Sequence, residues 1–436
     1  MSTKPIFTSK IATILTMIGV AVGLGNVWRF PYMMGKYGGS AFLCVYLFFT
    51  IVIALPAFMS EISFGRATRK GPMGAFKSAF GTLKGGIVGH ILLITILVAS
   101  SYYAVVIANV IYSGYFSIVE GFNDANLDRY NQGLSNGTLQ YTISAGVILA
   151  SLSVIHRGLN KGIEWVSKIF VPFFLLVILI LIYHAFSLNG AWEHIAIFLK
   201  PDFGALRPIN IFAALGQAVY SLSLGGTFMV VYGSYLDEKE SILDIAKWTA
   251  MGDVGAALLT SLFIVPAILV YQLDMTAGPT LIFSTLPHLF SEMPAGQFIG
   301  SLFLVALSSV AFLSLIAALE VAFSCLKELK WIKWNKGIIL LVIALIELAL
   351  AYPCAMDANL IGLLDLVFGS GMQLVGSGLA LVALTWSLGK AVTYFQLSSI
   401  ANKRSIDLIF IWIKWVIPLI LLFVLIGYIY NTISAL

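Results

Sequence analysis

The stretch Gly19-Val20-Ala21-Val22-Gly23-Leu24-Gly25-Asn26-Val27-Trp28-Arg29-Phe30-Pro31 lies inside an apolar segment running from about Ile11 to Met34. A segment of that length crosses a bilayer, which takes roughly 20 residues. Three closely spaced glycines, followed by Asn26, Arg29 and Pro31, do not suit a plain lipid-facing helix. Glycine leaves the helix cheaply, and a break at mid-membrane frees backbone N–H and C=O groups that lipid cannot satisfy. Such a break persists only where those groups face a cavity, an ion or a bound molecule. A glycine face packed on a neighbouring helix is the plainer alternative. Asn26 and Arg29 argue against it, because polar and charged groups inside a span mark a pathway or a site.

The chain is 60% hydrophobic and 10% charged, with a mean hydropathy of +0.97. That composition describes an all-α polytopic membrane protein and excludes a soluble globular one. Cys44, Cys325 and Cys354 stand in or near apolar segments without ligand spacing, so neither a disulfide framework nor a zinc site is expected. The residues before the first span carry Lys4 and Lys10 and lack a small-residue cleavage site, so no leader is expected. The net charge of +5 comes from loop lysines and arginines and suggests no nucleic-acid partner.

Apolar runs predict eleven spans, near 11–35, 39–64, 87–119, 140–156, 163–186, 211–235, 243–271, 297–325, 337–353, 359–388 and 411–430. Alternate loops are basic: Arg66, Arg69, Lys70, Lys77 and Lys84; Arg157 and Lys161; Lys327, Lys330, Lys333 and Lys336; Lys390, Lys403 and Arg404. The opposite side holds few, Arg129, Lys200 and Arg207 among them. The positive-inside rule then puts the N-terminus in the cytoplasm and the C-terminus outside the cell membrane.

The sixth span repeats the opening anomaly in Gln217-Ala218-Val219-Tyr220-Ser221-Leu222-Ser223-Leu224-Gly225-Gly226-Thr227. Two interrupted helices at matching places in two five-helix halves point to an inverted repeat with a site between them. The expected division is a cytoplasmic segment 1–10, a first repeat 11–186, an extracellular loop 187–210, a second repeat 211–388, and a cytoplasmic loop with helix 11 over 389–436.

These residues resemble the signature of the neurotransmitter:sodium symporters. The likeness begins with Gly-x-Ala-Val-Gly-Leu-Gly-Asn-x-x-Arg-Phe-Pro and continues through Tyr37-Gly38-Gly39-Ser40-Ala41-Phe42, Pro56 and Glu61-Ile62-Ser63-Phe64-Gly65-Arg66. It runs on through Tyr102-Tyr103, Lys161-Gly162-Ile163-Glu164, Gly216-Gln217-Ala218 and Ser221-Leu222-Ser223-Leu224-Gly225, covering the first ten spans. Eleven spans resemble the bacterial branch.

After the first break, free N–H groups and the positive end of a helix dipole suit a carboxylate. The resemblance assigns that role to the Leu24 and Gly25 amides, with the Tyr103 hydroxyl as a further donor. It assigns the substrate amino group to the carbonyls of Ala21, Tyr220, Ser221 and Ser223. A first sodium would take Ala21, Asn26, Ser221 and Asp253. A second would take Gly19, Val22, Val310 and Ser314, in a site weakened because Leu313 stands where the family has a hydroxyl residue. The side-chain pocket would be lined by Ala99, Tyr103, Tyr220, Ser223, Gly226, Met229, Ser314 and Ala318. Arg29 with Asp365 would form the outer gate and Lys4 with Glu328 the inner one, Phe7 standing where the family has Trp. Glu61 would accept hydrogen bonds from unwound backbone, and Gly162 with Pro172 would allow local unwinding of the fifth helix.

The five histidines show no metal spacing, and there is no phosphate loop and no Gly-x-Ser-x-Gly elbow. No enzyme and no cofactor is expected. The expectation is a sodium-coupled importer of a neutral hydrophobic or aromatic amino acid, with no chloride requirement because Asp253 already supplies a negative charge. The alternatives are a proton-coupled amino-acid permease and a non-cycling amino-acid receptor.

Overall fold

The computed structural model describes residues 5–275, 278–329, 334–400 and 402–435, and all regular structure among them is helical. Lys4, Lys330 and Lys333 lie outside the described residues. Among the described residues, nine helices are long and apolar enough to cross a membrane. They are α2 (Gly39–Thr68), α3 (Thr82–Val119), α4 (Gly137–His156), α5 (Leu159–Phe186), α7 (Ile242–Val270), α8 (Gly296–Lys327), α9 (Lys336–Met356), α10 (Ala358–Gln396) and α11 (Lys403–Ile429). A tenth crossing is the pair α1a (Lys10–Ala21) and α1b (Gly25–Lys36), bent by 62°. The expected sixth span is divided into α6a (Pro208–Ser221) and α6b (Phe228–Gly233), of 14 and 6 residues, each too short to cross alone.

Several helices begin before the expected apolar runs. α3 starts at Thr82 instead of 87, and α11 at Lys403 instead of 411, where Asn402 caps the helix by accepting from the Arg404 amide at 3.0 Å. Hydropathy marks where a helix enters lipid, not where its polar first turns begin.

Burial separates inner from outer helices. In the most apolar window of α8, 72% of residues are buried, against 28% in α5 and in α11. α3 and α8 therefore form the protein's interior, while the exposed leucines and aromatics of α5 and α11 face lipid.

Proline accounts for one irregularity. Pro56 lacks an N–H, so the carbonyl of Val52 has no partner one turn on. The helix widens into a π turn over Thr50–Ala54, and the Trp412 indole of α11 donates to that carbonyl at 2.7 Å. At Gly162 the expected irregularity is a π turn over Leu159–Ile163, and the helix then runs unbroken through Pro172.

Candidate functional site

The break in the first helix opens after Ala21, where Val22 turns extended (φ −72°, ψ 122°), and the helix resumes at Gly25. Asn26 holds the turn, accepting at Oδ1 from the Gly23 amide at 3.1 Å. Tyr103 of α3 brings its hydroxyl to the same turn as Ser314 Oγ, the two lying 3.2 and 2.9 Å from where a Gly23 Cβ would stand. The second break is tighter. Ser223, Gly225 and Thr227 all have positive φ (52°, 82° and 59°), a conformation that costs a side-chain-bearing residue about 1–3 kcal/mol. Glu61 of α2 stabilises it by accepting from the Gly225 amide at 2.9 Å, as expected. Gly225 is required there, because a Cβ would lie 1.6 Å from the Gln373 carbonyl oxygen of α10.

Between the breaks lies a cavity of about 110 Å³. Ala21, Leu24, Gly25, Ala99, Tyr103, Tyr220, Ser221, Ser223, Ser314 and Ala318 all line it, as the sequence pattern anticipates. Two expected residues do not. Met229 is fully buried away from it, and the wall at that place is the ring of Phe228, which lies 2.1 Å from where a Gly226 Cβ would stand. Where the family likeness gives that wall to Met229, the unwound segment 222–227 brings Phe228 to it instead. Ile96, Ser100, Tyr102, Gly369 and Gln373 also line the cavity and were not anticipated. Ile96 and Ser100 share the helical face of Ala99 and Tyr103, a signal the sequence does carry.

Asn26, Ser221 and Asp253 converge in one buried cluster. The Asn26 amide donates to Asp253 Oδ1 at 2.7 Å and to Ser221 Oγ at 3.2 Å, and Ser221 donates to Asp253 Oδ2 at 2.6 Å. Tyr46 donates to Ser221 Oγ at 3.4 Å. Ser221 and Asp253 bring hard oxygens together in this buried cluster, the kind of ligand a sodium ion favours, while Asn26 turns its amide nitrogen toward them. A second oxygen cluster forms where Ser314 Oγ lies 3.1 Å from the Val22 carbonyl and 3.4 Å from that of Val310. Leu313 is packed on Gly19 so closely that a Cβ there would lie 2.9 Å from its methyl group.

The gates depart from expectation. Arg29 does not pair directly with Asp365. Its guanidinium lies 4.2 Å over the Tyr220 ring, and the Asp365 carboxylate accepts from the Tyr102 hydroxyl at 3.0 Å. Aromatic partners on both sides separate the two charges. Tyr220 also forms the partition between the inner cavity and a chamber of about 640 Å³ that Arg29 lines.

At the opposite end, Glu328 caps the short helix Pro72–Phe80, accepting from the Gly71 and Gly74 amides at 2.6 and 2.7 Å. Its expected partner Lys4 lies outside the described residues. The seal described there is made by residues 6–10. Phe7 packs between Tyr232 and Tyr235, with ring centres 6.5 and 6.2 Å apart. Thr8 donates through its amide and hydroxyl to Glu164 at 2.9 and 2.6 Å, and Lys10 pairs with Asp244 at 2.9 Å.

A cavity at two facing helix breaks, with packed residues at one end and a wider chamber at the other, is an arrangement suited to a membrane carrier. The family model for the sodium:neurotransmitter symporter family matches residues 4–125 and 115–435, and the chain belongs to that family. An uncharacterized sodium-dependent transporter of Bacillus subtilis (strain 168) is 30% identical over 441 residues, with 97% of each chain covered. One of Haemophilus influenzae is 28% identical over 450 residues, again with 97% of each covered. Among solved structures, MhsT in complex with L-phenylalanine superimposes with a TM-score of 0.86 at 25% identity, over 98% of this chain and 100% of that one. The five-plus-five inverted repeat with broken first and sixth helices follows from that likeness. Sodium is the co-substrate, and no other cofactor is indicated.

Proposed function

We propose that this protein imports a neutral, bulky hydrophobic or aromatic amino acid across the cell membrane together with sodium, by alternating access. The observation that carries the reading is the cavity between the two breaks. One wall offers free amides at the start of a helix, the other offers carbonyls of unwound chain, and among the described residues the lining holds the carboxylate of Asp365 and no cationic side chain. Amides at a helix N-terminus attract a carboxylate, and carbonyl oxygens attract an ammonium group. Together they fit the two ends of an α-amino acid.

In this reading the Leu24 and Gly25 amides and Tyr103 hold the carboxylate, and the Ala21, Tyr220, Ser221 and Ser223 carbonyls hold the amino group. Asn26, Ser221, Asp253 and Ala21 hold the first sodium; Gly19, Val22, Val310 and Ser314 hold a weaker second. The lining residues Ala99 and Ala318 are small, which leaves room for a large side chain. The likeness to a protein crystallised with L-phenylalanine supports that class. Asp253 supplies the negative charge next to sodium, so chloride is not required. With the N-terminal segment cytoplasmic, the Phe7 seal is the inner gate, and the arrangement faces outward.

The test is counterflow of labelled phenylalanine, tryptophan, tyrosine and leucine in proteoliposomes holding the purified chain. Sodium is replaced by choline, with and without an imposed proton gradient. Uptake that follows sodium supports the reading. Uptake that follows the proton gradient in choline, or binding without any exchange, refutes it.

A further inference from the structure

Ile96, Ala99, Ser100 and Tyr103 turn one stripe of α3 toward the cavity, and Ser100 brings a hydroxyl to that wall. That hydroxyl has one proton and three acceptors within the protein. The Ile96 carbonyl lies at 2.7 Å, the Leu97 carbonyl at 3.2 Å and Glu347 Oε1 of α9 at 2.7 Å. Glu347 is fully buried halfway along its span, between the buried apolar residues Ile343 and Ala351 one turn to either side. Ser100 is its hydrogen-bond partner, its Oε2 has none, and no cation pairs with it among the described residues. A carboxyl group at such a depth is costly to bury and marks a function by default.

We propose that Glu347 positions Ser100 so that the hydroxyl shows the cavity only a lone pair. Ser100 then accepts a hydrogen bond from the substrate side chain, and the carrier selects amino acids tipped with a donor, a phenol O–H or an indole N–H, over phenylalanine. With the Ser100 proton already taken by protein acceptors, the substrate must be the donor. This rests on the reading that an aromatic amino acid occupies the cavity. Ser100 touches the substrate, and Glu347 acts through it as a positioning residue.

The experiment measures sodium-dependent binding of phenylalanine, tyrosine and tryptophan to the full chain in detergent. The unaltered protein should bind tyrosine or tryptophan up to about tenfold more tightly than phenylalanine, the span of one net hydrogen bond. Ser100→Ala should bring that ratio to about one and leave phenylalanine affinity within about twofold, because only the neutral hydrogen bond is lost. The double variant Ser100→Ala/Glu347→Leu removes both polar groups together, which spares the fold an orphaned carboxyl, and should give the same ratio. Glu347→Gln keeps in its amide oxygen an acceptor for the Ser100 proton and should keep the ratio, whereas a purely structural role for Glu347 would weaken all three substrates alike. The proposal is overturned if the unaltered protein binds phenylalanine as tightly as the other two, or if the double variant keeps the preference. Absence of binding by all three to the unaltered protein overturns the proposed substrate class itself.

Discussion

Leu313 is the residue on which sodium stoichiometry should turn. Beside it, Ser314 Oγ lies 3.1 Å from the Val22 carbonyl and 3.4 Å from the Val310 carbonyl, while the leucine itself packs on Gly19. Leu313→Thr exchanges a buried apolar side chain for a shorter one with a hydroxyl. The lost packing should destabilise the sodium-free protein by about 1–3 kcal/mol, less than a full truncation to alanine. The gained oxygen is a hard ligand for the ion. If it lowers the second dissociation constant to a hundredth of the sodium concentration, binding restores about 2.7 kcal/mol. The two effects are similar in size and opposite in sign, and only the second depends on sodium. Thermal unfolding in detergent, with choline holding ionic strength constant, separates them. Leu313→Thr should melt below the unaltered protein in choline and regain the difference as sodium rises. Sodium activation of substrate binding should steepen from a Hill coefficient of about one toward about two, the ceiling for two sites. Steep activation of the unaltered protein, with an unchanged sodium response in Leu313→Thr, would show that Leu313 is not at a ligand position.

Replacing chloride by gluconate should leave uptake unchanged, and Asp253→Asn should either abolish uptake or make chloride stimulatory; a collapse of uptake by the unaltered protein in gluconate contradicts the charge argument. In Gly25→Ala the new Cβ would stand 2.8 Å from the Tyr220 ring, so the ring must move off Arg29, and substrate affinity should fall by about tenfold for an overpacking cost near 1–3 kcal/mol. Unchanged affinity would mean that Tyr220 moves freely. Phe228→Ala should enlarge the cavity and raise the affinity for tryptophan relative to leucine, read by competition binding; an unchanged ratio would put the ring outside the substrate pocket. Glu240, in the loop before α7, is half-buried beneath Thr13, and that burial pushes its carboxyl above the ordinary range. Its folded form holds a proton that the unfolded chain has released, so its contribution to stability is present at low pH and declines as pH rises through the raised value. Glu240→Gln should flatten that decline in melting curves, and an unaltered slope would exclude the group.

Much of the site was legible because membrane burial makes exceptions conspicuous. Gly23, Gly25 and Asn26 in one apolar run, and Ser221, Ser223 and Gly225 in another, break a helix where lipid offers no alternative partner, so a cavity between them follows from hydrogen bonding. Glu61 could be assigned to unwound backbone for the same reason. Met229, implied by the family likeness, does not line the cavity, because residues 222–227 leave the helix through three positive φ angles and their path decides which side chain of α6b reaches the wall. Gln373 carries no local signal, because nothing in α10 distinguishes a residue facing the site from one facing a neighbour; Glu347 carries one, as a lone carboxyl in the apolar run of α9.

By itself, the order of residues determined where the chain enters the membrane, which two spans break, and which polar groups stand beside the breaks. Those properties depend on local composition and on the cost of unpaired backbone in lipid, and both act over a few residues. Tertiary structure alone decided which side chains finally meet. Arg29 lies on Tyr220 and leaves Asp365 to Tyr102; Glu328 caps a helix that begins more than 250 positions earlier, at Pro72; Phe228 takes the wall that the family likeness gives to Met229. Each outcome is a competition among groups distant in the chain. The winner is set by the packing angle of whole helices, which no short stretch of sequence encodes.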